Sequence, residues 1–150
     1  MTTAHDYAAK HHDRFLEQLK TLIRIPSVST QPEHAAAVRL SSRRSQRAAE
    51  WLANDMRQIG LETAEVIKMP SGRHPLVLGA WAGAGEDAPT VLIYLTGSTC
   101  RYYSHYDVQP ARLEDGWFSH PFEPVARGAT DSKVNVITQL KAVESLLASS

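Results

Sequence analysis

Apolar and polar positions recur along this chain with two different periods, and the changes of period mark out its elements. From about His5 to Ile23, Phe15, Leu16, Leu19, Leu22 and Ile23 repeat at helical spacing while Asp13, Arg14, Glu17 and Lys20 take the other face. This predicts an amphipathic helix ended by Pro26. A bend at Ile25 to Thr30 leads to a second predicted helix from about Pro32 to Ile59, with proline in its first turn and Gly60 past its end. Its apolar stripe is Ala48, Leu52, Met56 and Ile59, with Trp51 beside it. Between them the run Ser41 to Arg47 reads as a solvated helical face, a break, or a small basic patch for a phosphate or partner.

After Gly60 the period shortens. Leu61 to Lys68 alternates as a half-buried strand, Met69 to Pro75 is a turn rich in proline and glycine, and Leu76 to Trp81 is a second strand. Thr90 to Leu95 is continuously apolar and β-rich, the pattern of a central strand covered on both faces. From about Thr130 to Leu147 the helical period returns, with Val136, Ile137, Leu140, Val143, Leu146 and Leu147 on one face. Helices, then strands, then a helix point to an α/β sandwich. At this helix's start Asp131 is open to two readings, a bare N-cap or a ligand.

The 150 residues are one domain's worth, enough to bury about 68–70% of the unfolded surface. Sixteen basic and sixteen acidic side chains cancel, which argues against a nucleic-acid or membrane partner held by charge and leaves a small substrate open. The single cysteine, Cys100, excludes an internal disulfide and any zinc site needing two thiolates. It fits a reducing compartment, so the chain is read as cytoplasmic. Its bland role is a small buried apolar residue. No stretch approaches the ~20 apolar residues of a membrane span.

Candidate chemistry centres on His105-Tyr106-Asp107-Val108-Gln109-Pro110. In an extended segment residues two apart point the same way, so Asp107 is placed to hold the ring nitrogen of His105 that is not on a metal. The adjacent pair His11 and His12 diverges by about 100° on a helix and reads as solvated surface, as do His34, His74 and His120 near prolines or turns.

Four stretches carry a resemblance: Arg24 to Ser29; Ala48 to Leu52 leading to Gly60-Leu61-Glu62; Val91 to Tyr94 with His105 to Pro110; and Arg127 to Lys133. In order and content they resemble the N-terminal part of the zinc-dependent aminoacylase and carnosinase-type metallopeptidase family, in its dipeptidase branch. The resemblance implies a three-layer α/β sandwich with a mixed, mainly parallel sheet, here an incomplete catalytic domain over residues 1–150 without the family's second, lid or dimerisation domain. It implies two zinc ions and a small peptide substrate. His105 matches a ligand of one zinc, Asp107 the catalytic residue that orients it, and Asp131 the carboxylate bridging both metals, which turns the reading of Asp131 toward ligand.

The chain also departs from the family pattern. Leu95 to Ser104 intervenes before His105, either as a hairpin signalled by Gly97-Ser98 or as a loop. Only Val125-Ala126 stands between Pro124 and Arg127, Val134 replaces a glycine, and Ser41 to Arg47 looks like an insertion that turns a helical face by only about 20°. The Glu-Glu pair that holds the family's general base occurs nowhere in the sequence, nor do the remaining metal ligands. These features imply weak or absent peptidase activity in this chain. The alternative is a non-catalytic remnant or interaction module, self-associating through exposed sheet edges such as Leu76 to Trp81.

Overall fold

The computed structural model describes residues 2–25, 35–70, 74–95 and 132–149. Four helices, α1 (Ala4–Lys10), α2 (His12–Arg24), α3 (Ala35–Gln58) and α4 (Lys133–Leu147), accompany two strands, β1 (Thr63–Ile67) and β2 (Leu76–Ala80). The first predicted helix is thus two. Thr3 opens α1 with a capping box, its hydroxyl accepting from the Asp6 amide at 3.1 Å while the Asp6 carboxylate accepts from the Thr3 amide at 3.0 Å. His11 then leaves helical geometry at φ −105° and ψ 12° before α2 begins. Its ring packs on Tyr7, with centroids 4.3 Å apart, so it is not merely solvated. At the far end Ile25 is extended (ψ 108°), as the residue before a proline favours.

The α3 helix runs unbroken through Ser41 to Arg47 and stops in a Schellman turn. Gly60, at φ 94°, donates to Arg57 and Leu61 donates to Met56. The chain then enters the antiparallel pair β1 and β2, in which Thr63 faces Ala80 and Ile67 faces Leu76. α3 covers one face of this pair. β2 comes so close to α3 that a Cβ on Gly79 would lie 2.8 Å from the Met56 sulfur.

One apolar core joins Leu19, Leu22 and Ile23 of α2, Ala48 and Leu52 of α3, and Val136, Ile137 and Leu140 of α4. Its contributors from α2 and α3 are the residues that periodicity selects. On α4 the buried face differs: Lys133, Lys141, Glu144 and Ser145 are buried with it, whereas Leu146 is 60% exposed. The stripe is rotated because polar side chains, not apolar ones, dock the second half of this helix.

Lys141, with 4% of its side chain exposed, donates to Asp55 at 2.6 Å and to Glu144 at 3.0 Å. Asp55 also accepts from Gln18 at 2.8 Å. Glu144 accepts from Arg14, and from the Tyr7 hydroxyl at 3.2 Å. Two cations and two anions thus neutralise one another where all four helices meet. Burial would raise the Glu144 carboxyl, but hydrogen bonds from Arg14 and Lys141, and their charges, outweigh it and hold the group below its ordinary 4.5.

Residues 91–95 carry neither helix nor strand. Val91, Leu92 and Tyr94 are 81%, 84% and 86% exposed, in place of the expected central strand covered on both faces. A strand exists only through its neighbours' hydrogen bonds, and among the described residues none flanks this run. Nor do the described strands include a parallel pair, and no described helix is long and apolar enough to cross a membrane.

Truncating one partner of a buried ion pair strands the other charge. Lys141→Met should therefore cost about 3–5 kcal/mol in urea denaturation, and Lys141→Met combined with Asp55→Leu should recover most of that loss. Because Glu144 is the stronger acid in the fold, its contribution is complete above pH 4.5 and disappears as pH falls through the lower folded value. Stability measured between about pH 5 and 3 should decline less steeply in Glu144→Gln than in the parent chain.

Candidate functional site

His105, Asp107 and Asp131 lie outside the described residues. The structure does place the segment that continues directly from Asp131. Ser132 is the N-cap of α4 and holds φ 60° and ψ −82°, a positive-φ conformation that side chains other than glycine adopt rarely and at a cost of about 1–3 kcal/mol. Such strain persists only where the surroundings over-determine it, and it gathers at functional segments.

The next residue supplies that determination. Lys133 is 2% exposed, and its ammonium donates to the carbonyl oxygens of Leu22 at 3.0 Å, Ile23 at 3.5 Å and Ile25 at 2.5 Å. These are among the last carbonyls of α2 and its C-cap; Leu22 also accepts from the Ile25 amide at 3.2 Å, and together they form the negative end of the α2 dipole. Burial pushes the ammonium down to about 8, so it still carries its charge at neutral pH. α2 and the start of α4 are thereby fixed to each other by one side chain. Periodicity passes over Lys133 because it counts only apolar positions. A different signal was present: a lysine in the first turn of a helix opposes that helix's own dipole, and so points to a partner elsewhere.

Among the described residues no group of three or more histidine, cysteine, aspartate or glutamate side chains is placed to hold a metal. The buried carboxylates of Asp55 and Glu144 are taken up by Lys141 and Arg14. His12 pairs with Asp13 at 3.2 Å. A cavity of about 340 Å³ between the C-terminal ends of α3 and α4 is lined by Tyr7, Gly60, Trp81 and Glu144 among other described residues.

The chain is similar to three characterised groups of enzymes. It is 31% identical to a Beta-Ala-His dipeptidase of Mus musculus over 95% of its length. It is 33% identical to a Cys-Gly metallodipeptidase of Schizosaccharomyces pombe over 90%, and 32% identical to a cysteinylglycine-S-conjugate dipeptidase of Corynebacterium striatum over 89%. Identity of about 30% to dipeptidases along about nine tenths of the chain fits an N-terminal part of the dipeptidase family. It spans 29%, 28% and 27% of the length of these three relatives. No family model matches it, and no solved structure matches it significantly.

The Lys133 anchor lies two residues past the predicted ligand Asp131. Lys133→Met keeps the bulk of the side chain but removes the donor from the carbonyls of Ile23 and Ile25. It should lower stability by about 2 kcal/mol in chemical denaturation, while far-ultraviolet circular dichroism keeps its helical form.

Proposed function

We propose that this chain carries part of a metal-dependent dipeptidase centre acting on dipeptides or short peptides, with His105 and Asp131 as metal ligands and Asp107 orienting His105. The observation that carries this reading is the likeness to metallodipeptidases along about nine tenths of the chain, and the motifs of His105 and Asp131 in the sequence support it. The donor chemistry fits zinc: imidazole and carboxylate are both ordinary ligands, and the lone Cys100 excludes a site of two or more thiolates. A zinc ion bound there would polarise a peptide carbonyl and lower the pKa of a coordinated water.

The chain's own residues then have separable tasks. His105 offers a neutral imidazole nitrogen to the metal. Asp107, two residues on, accepts from the other ring nitrogen and so fixes the tautomer and raises the basicity of the ligand. Asp131 contributes a carboxylate at the head of α4, whose entry is set by the strained Ser132 and the anchored Lys133. With no adjacent glutamate pair in the sequence, no residue matches the family's general base. The wider architecture is proposed as part of a three-layer α/β sandwich with a mainly parallel sheet, supported by α3 lying across one face of β1 and β2. The location is proposed as cytoplasmic, in keeping with the single cysteine.

Metal analysis of the purified chain tests the reading. Zinc should be retained through dialysis and lost in His105→Ala and in Asp131→Ala, while dipeptide turnover stays near the uncatalysed background. A parent chain that holds no metal would overturn the ligand assignment, and rapid zinc-dependent turnover abolished by His105→Ala would overturn the assignment of weak activity.

A further inference from the structure

We propose that the cavity between the ends of α3 and α4 binds a small organic cation, a primary ammonium group carried on a flat apolar body. Its volume of about 340 Å³ is in the range of small-ligand sites. Two aromatic rings stand in its wall, Tyr7 from α1 and Trp81 from just past β2. The Trp81 indole lies against Gly83, where an added Cβ would be 2.6 Å from the ring, and the Tyr7 hydroxyl donates to Glu144 at 3.2 Å. Both rings are therefore held before a ligand arrives, which keeps the ordering cost of binding low. The faces of such rings attract cations.

The helix ends set the sign of the ligand. Gln58 closes α3, Leu147 closes α4, and both line the cavity, so the negative ends of two helix dipoles meet there. Neither helix answers with a cation of its own. The last turn of α4 has no basic residue, and Arg57, in the last turn of α3, donates to the Asn54 side chain and the Ala64 carbonyl. No lysine, arginine or histidine stands among the described lining residues. Glu144 adds a carboxylate whose charge Arg14 and Lys141 already meet, so the rings and the helix ends decide. An anion would face two repelling dipoles, and a neutral body would leave their attraction unused. The fold shows the same chemistry at another helix end: the Lys133 ammonium donates to the Leu22 carbonyl of α2 at 3.0 Å. Such carbonyls accept from N–H groups, which favours a primary ammonium over a quaternary one.

Isothermal titration calorimetry of the 150-residue chain with 2-phenylethylammonium tests this, in EDTA so that no metal holds the amine. One probe should bind per chain with a Kd of about 1 mM, an affinity in reach of a ligand this small. 2-Phenylethanol, phenylacetate and the trimethylated ammonium keep the body and change the head group, and each should bind more weakly, the first two by at least about tenfold. Ala148→Lys places the chain's own cation in the wall. Ala148 is exposed and lysine suits a helix C-terminus, so the melting temperature should hold while binding falls at least about tenfold. Trp81→Leu should weaken binding at least about threefold. Leu78→Lys adds the same charge at an exposed position outside the described lining and should leave binding within about twofold. No binding at about 10 mM probe, a neutral or anionic analogue bound as tightly as the ammonium, or ammonium binding unchanged in both Ala148→Lys and Trp81→Leu would each overturn the proposal.

Discussion

The described part of this protein turns on a single buried ammonium. Lys141 leaves water to sit between Asp55 of α3 and Glu144 of its own helix, and that choice is stable only because every charge near it is met. Arg14 closes the set from α2, Tyr7 adds a hydroxyl from α1, and Gln18 holds the remaining oxygen of Asp55. A buried ion cluster of this kind adds little net stability over an apolar equivalent, because desolvation cancels most of the attraction. What it does add is direction: the helices cannot rotate or slide without leaving a charge unpaired in the interior.

A second lysine of the same helix works in a different way. Lys133 is held by backbone carbonyls at the end of α2, not by carboxylates, so it joins two helix ends and not two helix faces. Between the two lysines lie Val136, Ile137 and Leu140, and these supply the apolar part of the α4 contact. The helix is therefore fastened at both ends by polar contacts and packed in the middle by apolar ones. The head of the helix, with Ser132 at positive φ, is where the chain arrives from Asp131.

The stripe on α4 shows how far periodicity reaches. The apolar spacing selects Val136, Ile137, Leu140, Val143, Leu146 and Leu147, and the first three are indeed buried. The register is then lost, because Lys141, Glu144 and Ser145 take the positions that a purely apolar count assigns to Val143 and Leu146. Elsewhere the pattern carried further. The α3 stripe, the stop at Gly60 and the two short strands all lie where composition and spacing put them, because caps, turns and alternation are local physics. The run Val91 to Leu95 marks the opposite limit. Its residues are those of a buried strand, but a strand is completed by partners, and none of the described residues lies alongside as one.

For the candidate site, the sequence by itself offered the candidates: the motifs of His105, Asp107 and Asp131 are read from the chain alone, and all three residues lie outside the described ones. It determined which segments are helical and which faces of α2 and α3 are apolar, since both follow from neighbours a few residues away. Only the tertiary structure decided that Lys133 caps α2 and that Lys141 is shared between α3 and α4. Lys133 reaches its acceptors across 108 to 111 residues, and Lys141 reaches Asp55 across 86. A contact between residues so distant leaves no period in the chain, and a buried charge is tolerated only where folding has brought its partners within hydrogen-bond reach.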